Sequence, residues 1–468
     1  MDGLECGEIL FSELERSKRI DAEFYKKQSL EIAKLLDNIS AKPLTNLVKV
    51  SDGNHTGISE KFIYEGIPYY RGQDIHNFFI EDSNPICIDE ETFNANYMHR
   101  SHLKKDDILL SIVGTIGEVA MVTKDDKATC NCKLAILRPY DKNKSALIAI
   151  YLKTKYGFDQ IDKFKRGVIQ MGYLLEDMNQ ILIPDFSKDF ENLIGKTIER
   201  IKTLTQQANT EYAEAEKLLE QEIGIDISKI TDENISVKSF TQSFCKTDRL
   251  DAEYYKPKFD KLIEAIESIK HKKLIEIVNI KKSIEPGSEA YKNEGIPFIR
   301  ISDISKFEIT EPDKYLETNG KYDNSNYYLQ KDEILFSKDG SIGIAYKVKE
   351  DAKIITSSAL LHLTVKSSDE VLPDYLSVVL NSEIVKLQAE RDSGGSIIKH
   401  WNVSEIEEVL IPILDLNKQK EVASKAQKSF ELREKSKILL TYAKEAVEIA
   451  IEKNENEAIN CLKDKMSE

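Results

Sequence analysis

The octapeptide Arg19-Ile-Asp-Ala-Glu-Phe-Tyr-Lys26 returns later in the chain as Arg249-Leu-Asp-Ala-Glu-Tyr-Tyr-Lys256. The echo continues in order. Glu65-Gly-Ile-Pro-Tyr-Tyr-Arg71 recurs as Glu294-Gly-Ile-Pro-Phe-Ile-Arg300, the stretch Leu103 to Val122 as Leu329 to Val348, and Ile181-Leu-Ile-Pro184 as Val409-Leu-Ile-Pro412. Partners stay 226 (Leu103 and Leu329) to 230 (Arg19 and Arg249) positions apart, far beyond the period of a solenoid repeat. Each copy is therefore a whole domain, and two similar domains on one chain suit a target with two similar halves.

At 468 residues the chain is long enough for two or more cores. With 41% hydrophobic and 31% charged residues it has the balance of an ordinary globular protein. No apolar run reaches the ~18 to 20 residues that span a bilayer, and the first ten residues have no basic segment followed by an apolar one, so no membrane partner and a cytoplasmic location are expected. The six cysteines, at 6, 87, 130, 132, 245 and 461, form no CxxC pair. Cys130-Asn-Cys132 is the one close pair, and its repeat partners are Ser357 and Ala359, so buried or inert thiols are expected rather than a metal site.

The formal charge of -15 weighs against nucleic-acid binding, which needs clustered Lys and Arg. Binding depends on the local field, however, and basic residues cluster at Lys104-Lys105, Lys163 to Arg166 and Lys270 to Lys273. Solvated surface charge is the plainer account of each run alone. Much of the acidity lies between 211 and 222, where Glu211, Glu214, Glu216, Glu220 and Glu222 face only Lys217; such a helix face suits a protein partner better than phosphate.

Each copy opens with a helix, whose apolar positions in the first copy are Ile32, Leu35, Leu36 and Ile39. Strand-like runs follow at 67–71, 107–113, 118–123 and 134–139, punctuated by Gly, Pro and Asn. A mixed α/β domain follows from that order. After Pro184 the chain turns helical, and Ile194, Ile198, Ile201, Thr205, Ala208, Tyr212, Ala215 and Leu219 fall at alternating spacings of four and three. The equivalent seam after Pro412 is Val422, Ala426, Ser429, Arg433, Ser436, Leu440, Ala443 and Val447, polar in its middle. Either each helix covers its own domain, or the two pair as a rod about 50 Å long at ~1.5 Å per residue. The narrow, sustained seam favours the rod.

Three loops keep their flanks and change their middles. After Gly-Ile-Pro comes Arg71 or Arg300, then Gly72-Gln73 in one copy and Ile301-Ser302 in the other, then Asp74 or Asp303. Arg and Asp could form a local ion pair that fixes the loop, or the loop could present Arg to guanine edges or phosphates. The turns Gly114-Thr-Ile-Gly117 and Gly340-Ser-Ile-Gly343 are too short and wrongly spaced for a P-loop or a dinucleotide fingerprint, and beside them Lys338 and Asp339 replace Ile112 and Val113. The third loop is 166–173 against 394–401. Its aligned aromatics Tyr173 and Trp401 are expected to pack in the core or at a helix start rather than stack on bases. Candidate contacts to double-stranded DNA are Tyr70, Arg71, Gln73, Lys104, Lys105, Lys165, Arg166 and Gln170 in the first copy, and Arg300, Ser302, Lys338, Lys399 and His400 in the second.

Signatures of covalent chemistry are missing from the sequence. It has no GxSxG elbow, no HExxH pair, no Walker loop, and no Pro-Pro of the kind an amino-methyltransferase tetrapeptide carries. A chain that does no chemistry itself is expected.

The two domains with a Gly-Ile-Pro-aromatic-x-Arg-x-x-Asp-Ile entry, a Lys-x-Asp-Ile-Leu-x-Ser strand followed by Gly-(Ser/Thr)-Ile-Gly, and an Ile-Pro exit into a long helix resemble the specificity (S) subunit of type I restriction-modification systems. The resemblance runs from about residue 19 to 450 and implies an α+β fold: two tandem mixed α/β target recognition domains joined by two long antiparallel coiled-coil helices, related by a pseudo-two-fold. Its boundaries would be 1–186 and 226–414 for the two domains, with 187–225 as the central spacer helix and 415–460 as the distal one. The stretch before Arg19 is longer than a simple domain start, and because Leu10 to Leu14 resembles Phe240 to Phe244 it is expected to belong to the fold.

The resemblance also implies function. Each domain would read one half of a bipartite, asymmetric DNA target, with half-sites one helical turn apart lying about 34 Å centre to centre. The helices would set the spacer and dock two copies of the modification (methyltransferase) subunit, with Tyr212, Leu219, Leu440 and Val447 as candidate docking positions. Restriction subunits, ATP-driven translocase and nuclease, would join the complex. The chain would bind no cofactor; S-adenosylmethionine, ATP and Mg would belong to the partner subunits. The alternatives are a fused restriction or methyltransferase polypeptide, which the missing tetrapeptide disfavours, the specificity part of a related single-complex system, and a pseudo-symmetric scaffold that never touches DNA.

Overall fold

A computed structural model describes the chain apart from residues 1–6, 13, 15–18, 64, 81–84, 168–170, 227–229, 231–234, 394–398 and 468. The chain divides into two compact units: Met1–Leu204 with Glu434–Glu468, and Thr205–Arg433.

In unit 1 the repeated octapeptide is a self-bonded turn. The Arg19 guanidinium donates to both carboxylate oxygens of Asp21 (2.5 and 2.6 Å), and the Tyr25 hydroxyl returns to the Arg19 carbonyl at 3.0 Å. A short 3-10 turn at Ala22–Tyr25 then hands the chain to helix α1 (Lys27–Asp37), which buries Ile32 and Leu36. Strands β1 (Ala41–Pro43), β2 (Val48–Asp52), β3 (Phe62–Ile63), β4 (Ile67–Tyr70), β5 (Ile86–Ile88), β6 (Ile108–Ser111), β7 (Val119–Met121), β8 (Thr129–Cys130), β9 (Leu134–Pro139) and β10 (Leu182–Pro184) follow. They pair as two four-stranded sheets, β2-β9-β6-β7 and β3-β5-β4-β8, and the ribbon β1-β10.

The first of these sheets is buried on both faces. Along β6, Ile108 and Leu110 point into the large core while Leu109 points into a second one with Ala120 and Ile136. This is the two-residue period of a strand, with apolar partners on either side, and it explains the run Ile-Leu-Leu without a polar face. Helices α2 (Ser145–Lys153) and α3 (Lys155–Asp162) complete the large core.

Unit 2 repeats the plan. Arg249 grips Asp251 at 2.8 and 2.7 Å, and the Tyr255 hydroxyl donates to the Arg249 carbonyl at 3.1 Å. Strands β11 (His271–Lys273), β12 (Val278–Lys282), β13 (Ile296–Ile299), β14 (Tyr315–Leu316), β15 (Ile334–Ser337), β16 (Ala345–Lys347), β17 (Ile355–Thr356), β18 (Leu360–Val365) and β19 (Leu410–Pro412) form the sheets β12-β18-β15-β16 and β14-β13-β17 and the ribbon β11-β19. The turns after β6 and β15 repeat in detail. Gly114 and Gly117, like Gly340 and Gly343, have φ of +86°, +99°, +66° and +81°, a region open to glycine and strained for residues with Cβ.

Two long helices, α4 (Lys188–Ile223) and α5 (Leu416–Glu452), contribute residues to both units. In unit 1 Ile194, Ile198 and Ile201 share a core with Ala443 and Val447, and in unit 2 Tyr212, Ala215 and Leu219 share one with Val422 and Ala426. Within unit 2 the contacts run in opposite directions along the chain. Ser429 Oγ donates to the Ala208 carbonyl at 2.7 Å, Lys425 lies 3.7 Å from Glu211, and Lys418 lies 3.0 Å from Glu222. The pairing is thus antiparallel, and every position of the first seam is buried.

The expected choice between a rod and a covering helix is settled as both at once. The seam residues pair with the other helix and also close the domain cores, against Tyr151 and Phe190 in unit 1 and Tyr375 and Ile411 in unit 2. The distal helix ends at Glu452. Asn454, whose side chain accepts from Glu457 N at 2.9 Å, starts a further helix α6 (Glu455–Ser467), which buries Ala458 and Leu462 in the core of unit 1. Among the described residues no helix is long and apolar enough to cross a membrane.

Candidate nucleic-acid interface

The Gly-Ile-Pro strand ends at Tyr70, and Arg71 caps the 3-10 turn that follows (Gly72–Asp74). Arg71 donates to Asp74 three times, from N at 2.8 Å and Nε at 2.9 Å to Oδ2, and from Nη2 at 3.0 Å to Oδ1. In unit 2 Arg300 donates to Asp303 Oδ2 from N at 2.8 Å and Nε at 3.4 Å, Ser302 Oγ donates to Asp303 Oδ1 at 2.8 Å, and Arg300 Nη2 reaches Asp313 at 2.5 Å. The local ion pair is therefore formed in both copies. It orders the loop and leaves each arginine half-buried, with Gln73 and Ser302 exposed beside it.

Within each unit the three loops that differ between the copies meet. In unit 1 Val113 bridges Gly172, Gly114 N donates to the Met171 carbonyl at 3.2 Å, and Tyr173 N to the Ile112 carbonyl at 2.9 Å. Gly72 lies against the same turn: a Cβ there would stand 3.6 Å from the Val113 carbonyl. In unit 2 Asp339 bridges His400, Gly340 N donates to the Lys399 carbonyl at 2.9 Å, and Trp401 N to the Lys338 carbonyl at 2.8 Å. Ile301 lies beside Gly340 there. A cleft of about 770 Å³ opens at this point, lined by Lys282, Ser283, Lys338, Asp339, Ser358 and His400 among others.

The other candidates separate into groups. Arg166 pairs with Asp177 (3.0 and 2.8 Å) and bridges Gly172, so it belongs to the loop cluster, and Lys165 sits one residue away, paired with Asp162 at 2.5 Å. Lys399 and His400 are exposed in unit 2, and Lys338 pairs with Asp339. Gln170 lies outside the described residues. Lys104 and Lys105 are exposed but precede β6, whereas the Gly114 turn follows it, so they stand at the other end of that strand. Tyr70 corrects the expectation: its side chain is buried with Leu109, Cys130 and Ile136 because it shares the second core with residues of β6, β8 and β9. Tyr173 and Trp401 are buried, Trp401 against Phe336, as their alignment suggested.

The helix positions also need correcting. Tyr212, Leu219 and Val447 are buried in the chain's own cores and Leu440 is half-buried against one, so a partner on these helices meets other rows of side chains. The acidic run is largely matched internally: Lys425 pairs with Glu211 and Glu214, Lys306 with Glu216 and Lys418 with Glu222. Burial pushes the Lys306 ammonium below its ordinary range despite Glu216, and the group lies 4.2 Å from the centre of the Tyr212 ring.

Sequence reasoning passed over Asp339 as a site residue, although its replacement of Val113 was visible, and passed over Lys282, Ser283 and Ser358. Asp339 is the acceptor that Lys338 and His400 share. Its Oδ1 lies 2.8 Å from His400 Nδ1, and Oδ2 takes the Lys338 ammonium.

Residues 266–441 match the family described as the type I restriction modification DNA specificity domain. Solved structures with related coordinates include the type I restriction-modification S subunit from M. genitalium, 15% identical over 91% of this chain and 96% of that one with a TM-score of 0.35. Another is the HsdS subunit from Thermoanaerobacter tengcongensis, 13% identical over 86% and 96% with a TM-score of 0.28. Both superpositions are loose. The match to the type I restriction modification DNA specificity domain covers residues 266–441, and the first half of the chain repeats the peptides and turns of that stretch.

Proposed function

We propose that each unit reads one half of a bipartite, asymmetric target on double-stranded DNA, with the loop cluster of each unit facing the bases. The two long helices set the unspecified spacer and dock two copies of the modification subunit, and ATP-dependent restriction subunits complete the complex in the cytoplasm. S-adenosylmethionine, ATP and Mg act in those partners; this chain supplies the address and not the chemistry. The observation that carries this reading is the loop cluster itself. Equivalent backbone hydrogen bonds hold it in both units, while its side chains differ at 72–73 against 301–302, 112–113 against 338–339 and 171–172 against 399–400. A constant frame around changed side chains is what two different half-sites require.

The acidic total is a sum over the whole chain whereas binding depends on the local field, and Glu211, Glu214, Glu216 and Glu222 sit on the helix, paired with lysines of unit 2. Substitution tests it. Gln73→Ala or Arg71→Ala changes the preference at one half-site only, and Ser302→Ala or Arg300→Ala changes the other, measured by binding of the complex to duplexes varied at each half. Equal loss at both halves from each variant contradicts the assignment of one half to each unit.

A further inference from the structure

We propose that the arginine of the repeated octapeptide, Arg249 in unit 2 and Arg19 in unit 1, is a positioning residue for the third variable loop of its own unit, and sets the half-site preference through that loop without touching DNA. The proposal rests on the DNA-recognition reading above and gives the repeated peptide a part in it.

In unit 2 the Arg249 guanidinium is used on two sides. Nε and Nη2 hold the Asp251 carboxylate at 2.8 and 2.7 Å, which fixes the planar fork within the octapeptide. Nη1 is left for the loop: it donates to the Asp392 carbonyl at 2.9 Å and lies 3.6 Å from Glu405. Asp392 ends the helix Glu383–Asp392 that leads into the loop. Glu405 accepts from Asn402 N at 3.1 Å and so caps the helix Val403–Glu407 that leads out of it. One side chain thus joins the two ends of the segment that carries Lys399 and His400. The octapeptide ring adds a second tie, because Tyr254 lies between the cations of Arg249 and Arg391, 4.4 and 5.2 Å from its centre.

Unit 1 builds the same brace with other residues. Arg19 holds Asp21 by the same two nitrogens, and Phe24, in the place of Tyr254, lies between Arg19 at 5.1 Å and Lys163 at 4.6 Å. Phe24 also meets Phe164 edge to face at 5.2 Å, two residues before Arg166. Asp177 stands where unit 2 has Glu405. The Asp21 hydrogen bonds chiefly, and the Asp177 carboxylate in addition, raise Arg19 above its ordinary range. Asp177 in turn takes Arg166, which bridges Gly172 beside Val113.

The arginine side chains are only 15% (Arg19) and 24% (Arg249) exposed, and each fork is already filled by a carboxylate, so neither has a free edge for phosphate or base. The Arg, the Asp and the aromatic ring stay the same in kind while the loop changes from Met171-Gly172 to Lys399-His400. A brace has to stay constant in this way if two unlike loops are to be held on one frame.

The test uses the full chain in complex with its modification subunit and a duplex library randomised at both half-sites. Arg249→Ala relaxes selection by about two- to thirtyfold in the half-site that Ser302→Ala alters and leaves the other unchanged, and Arg19→Ala does the reverse. Salt separates positioning from contact. The slope of log affinity against log salt keeps its wild-type value in both variants, whereas the loss of a phosphate contact lowers it by about one. Arg249→Lys keeps the charge and loses the fork, so it decides the matter if alanine prevents folding; it relaxes the same half-site. Soluble variants with wild-type selection overturn the proposal whatever their thermal stability, because the octapeptide is then a tie in the fold and no more. A salt slope lower by about one, or equal loss at both half-sites, overturns it as well. Wild-type complex with no sequence preference at either half overturns the DNA-recognition reading instead.

Discussion

Asp74 is the acceptor that holds the Arg71 loop, and Asp74→Ala measures how much. The carboxylate is 8% exposed and takes the Arg71 backbone N–H and two guanidinium N–H groups. Truncation leaves the backbone N–H without its partner, at about 1–3 kcal/mol. The guanidinium pairing is partly solvated, its side chain 29% exposed, and adds only about 0–1 kcal/mol. A loss of about 2–3 kcal/mol in unit 1 is expected, and about half that for Asp74→Asn, which keeps one acceptor. Asp303→Ala loses the same backbone bond at Arg300 and should cost a similar amount. The two variants should differ in recognition, because Arg300 keeps its pairing with Asp313 whereas no carboxylate other than Asp74 pairs with Arg71 among the described residues. Native-state hydrogen exchange at Arg71 and Arg300 reads the stability, and half-site selection reads the rest. An Asp74→Ala chain within about 0.5 kcal/mol of wild type would show that the aspartate does not organise the loop.

Leu219 is fully buried and Leu440 half-buried, so Leu219→Ala should cost about 2–5 kcal/mol and Leu440→Ala about half as much or less, read by urea unfolding of each variant; equal costs would contradict the packing. Gly117 and Gly343 share positive φ, but a Cβ on Gly117 would stand 2.8 Å from the Phe158 ring while one on Gly343 meets nothing within 4 Å. Gly117→Ala should therefore lower thermal stability more than Gly343→Ala, which carries the backbone strain of about 1 kcal/mol alone. Hydrogen bonds from Arg19 and Arg249 hold Asp21 and Asp251 below the usual carboxylate range. A lowered folded value stabilises above the unfolded pKa of about 3.9 and is lost as pH falls through the folded one. The Asp21→Asn, Asp251→Asn double variant should accordingly lose less stability between about pH 5 and pH 2 than wild type, and parallel curves would refute the coupling.

Much of this molecule was legible because its local rules are strict. Glycines at positive φ recur with the turns, and the four-three spacing of Ile194 to Leu219 marks the helix stripe that becomes buried. What periodicity cannot say is which surface covers the stripe. A seam specifies an apolar face and not its neighbour, so Tyr212, Leu219 and Val447 suit an outside partner in the sequence and fill the chain's own cores in the fold. Tyr70 was misjudged for a related reason, since an aromatic at the end of a strand looks exposed until a second core is found beneath the sheet. The replacement of Val113 by Asp339 is visible in the sequence but its role is not, because that depends on His400, which lies sixty-one positions along the chain and meets it only through the fold.

The central claim is that two units address two different half-sites joined by a spacer. A genome-wide map of N6-methyladenine in a host expressing this chain with its modification subunit tests it most directly. The account predicts a split motif, with two unlike specified halves separated by a fixed run of unspecified bases. An unsplit palindrome, or no methylation above the host background, would contradict it.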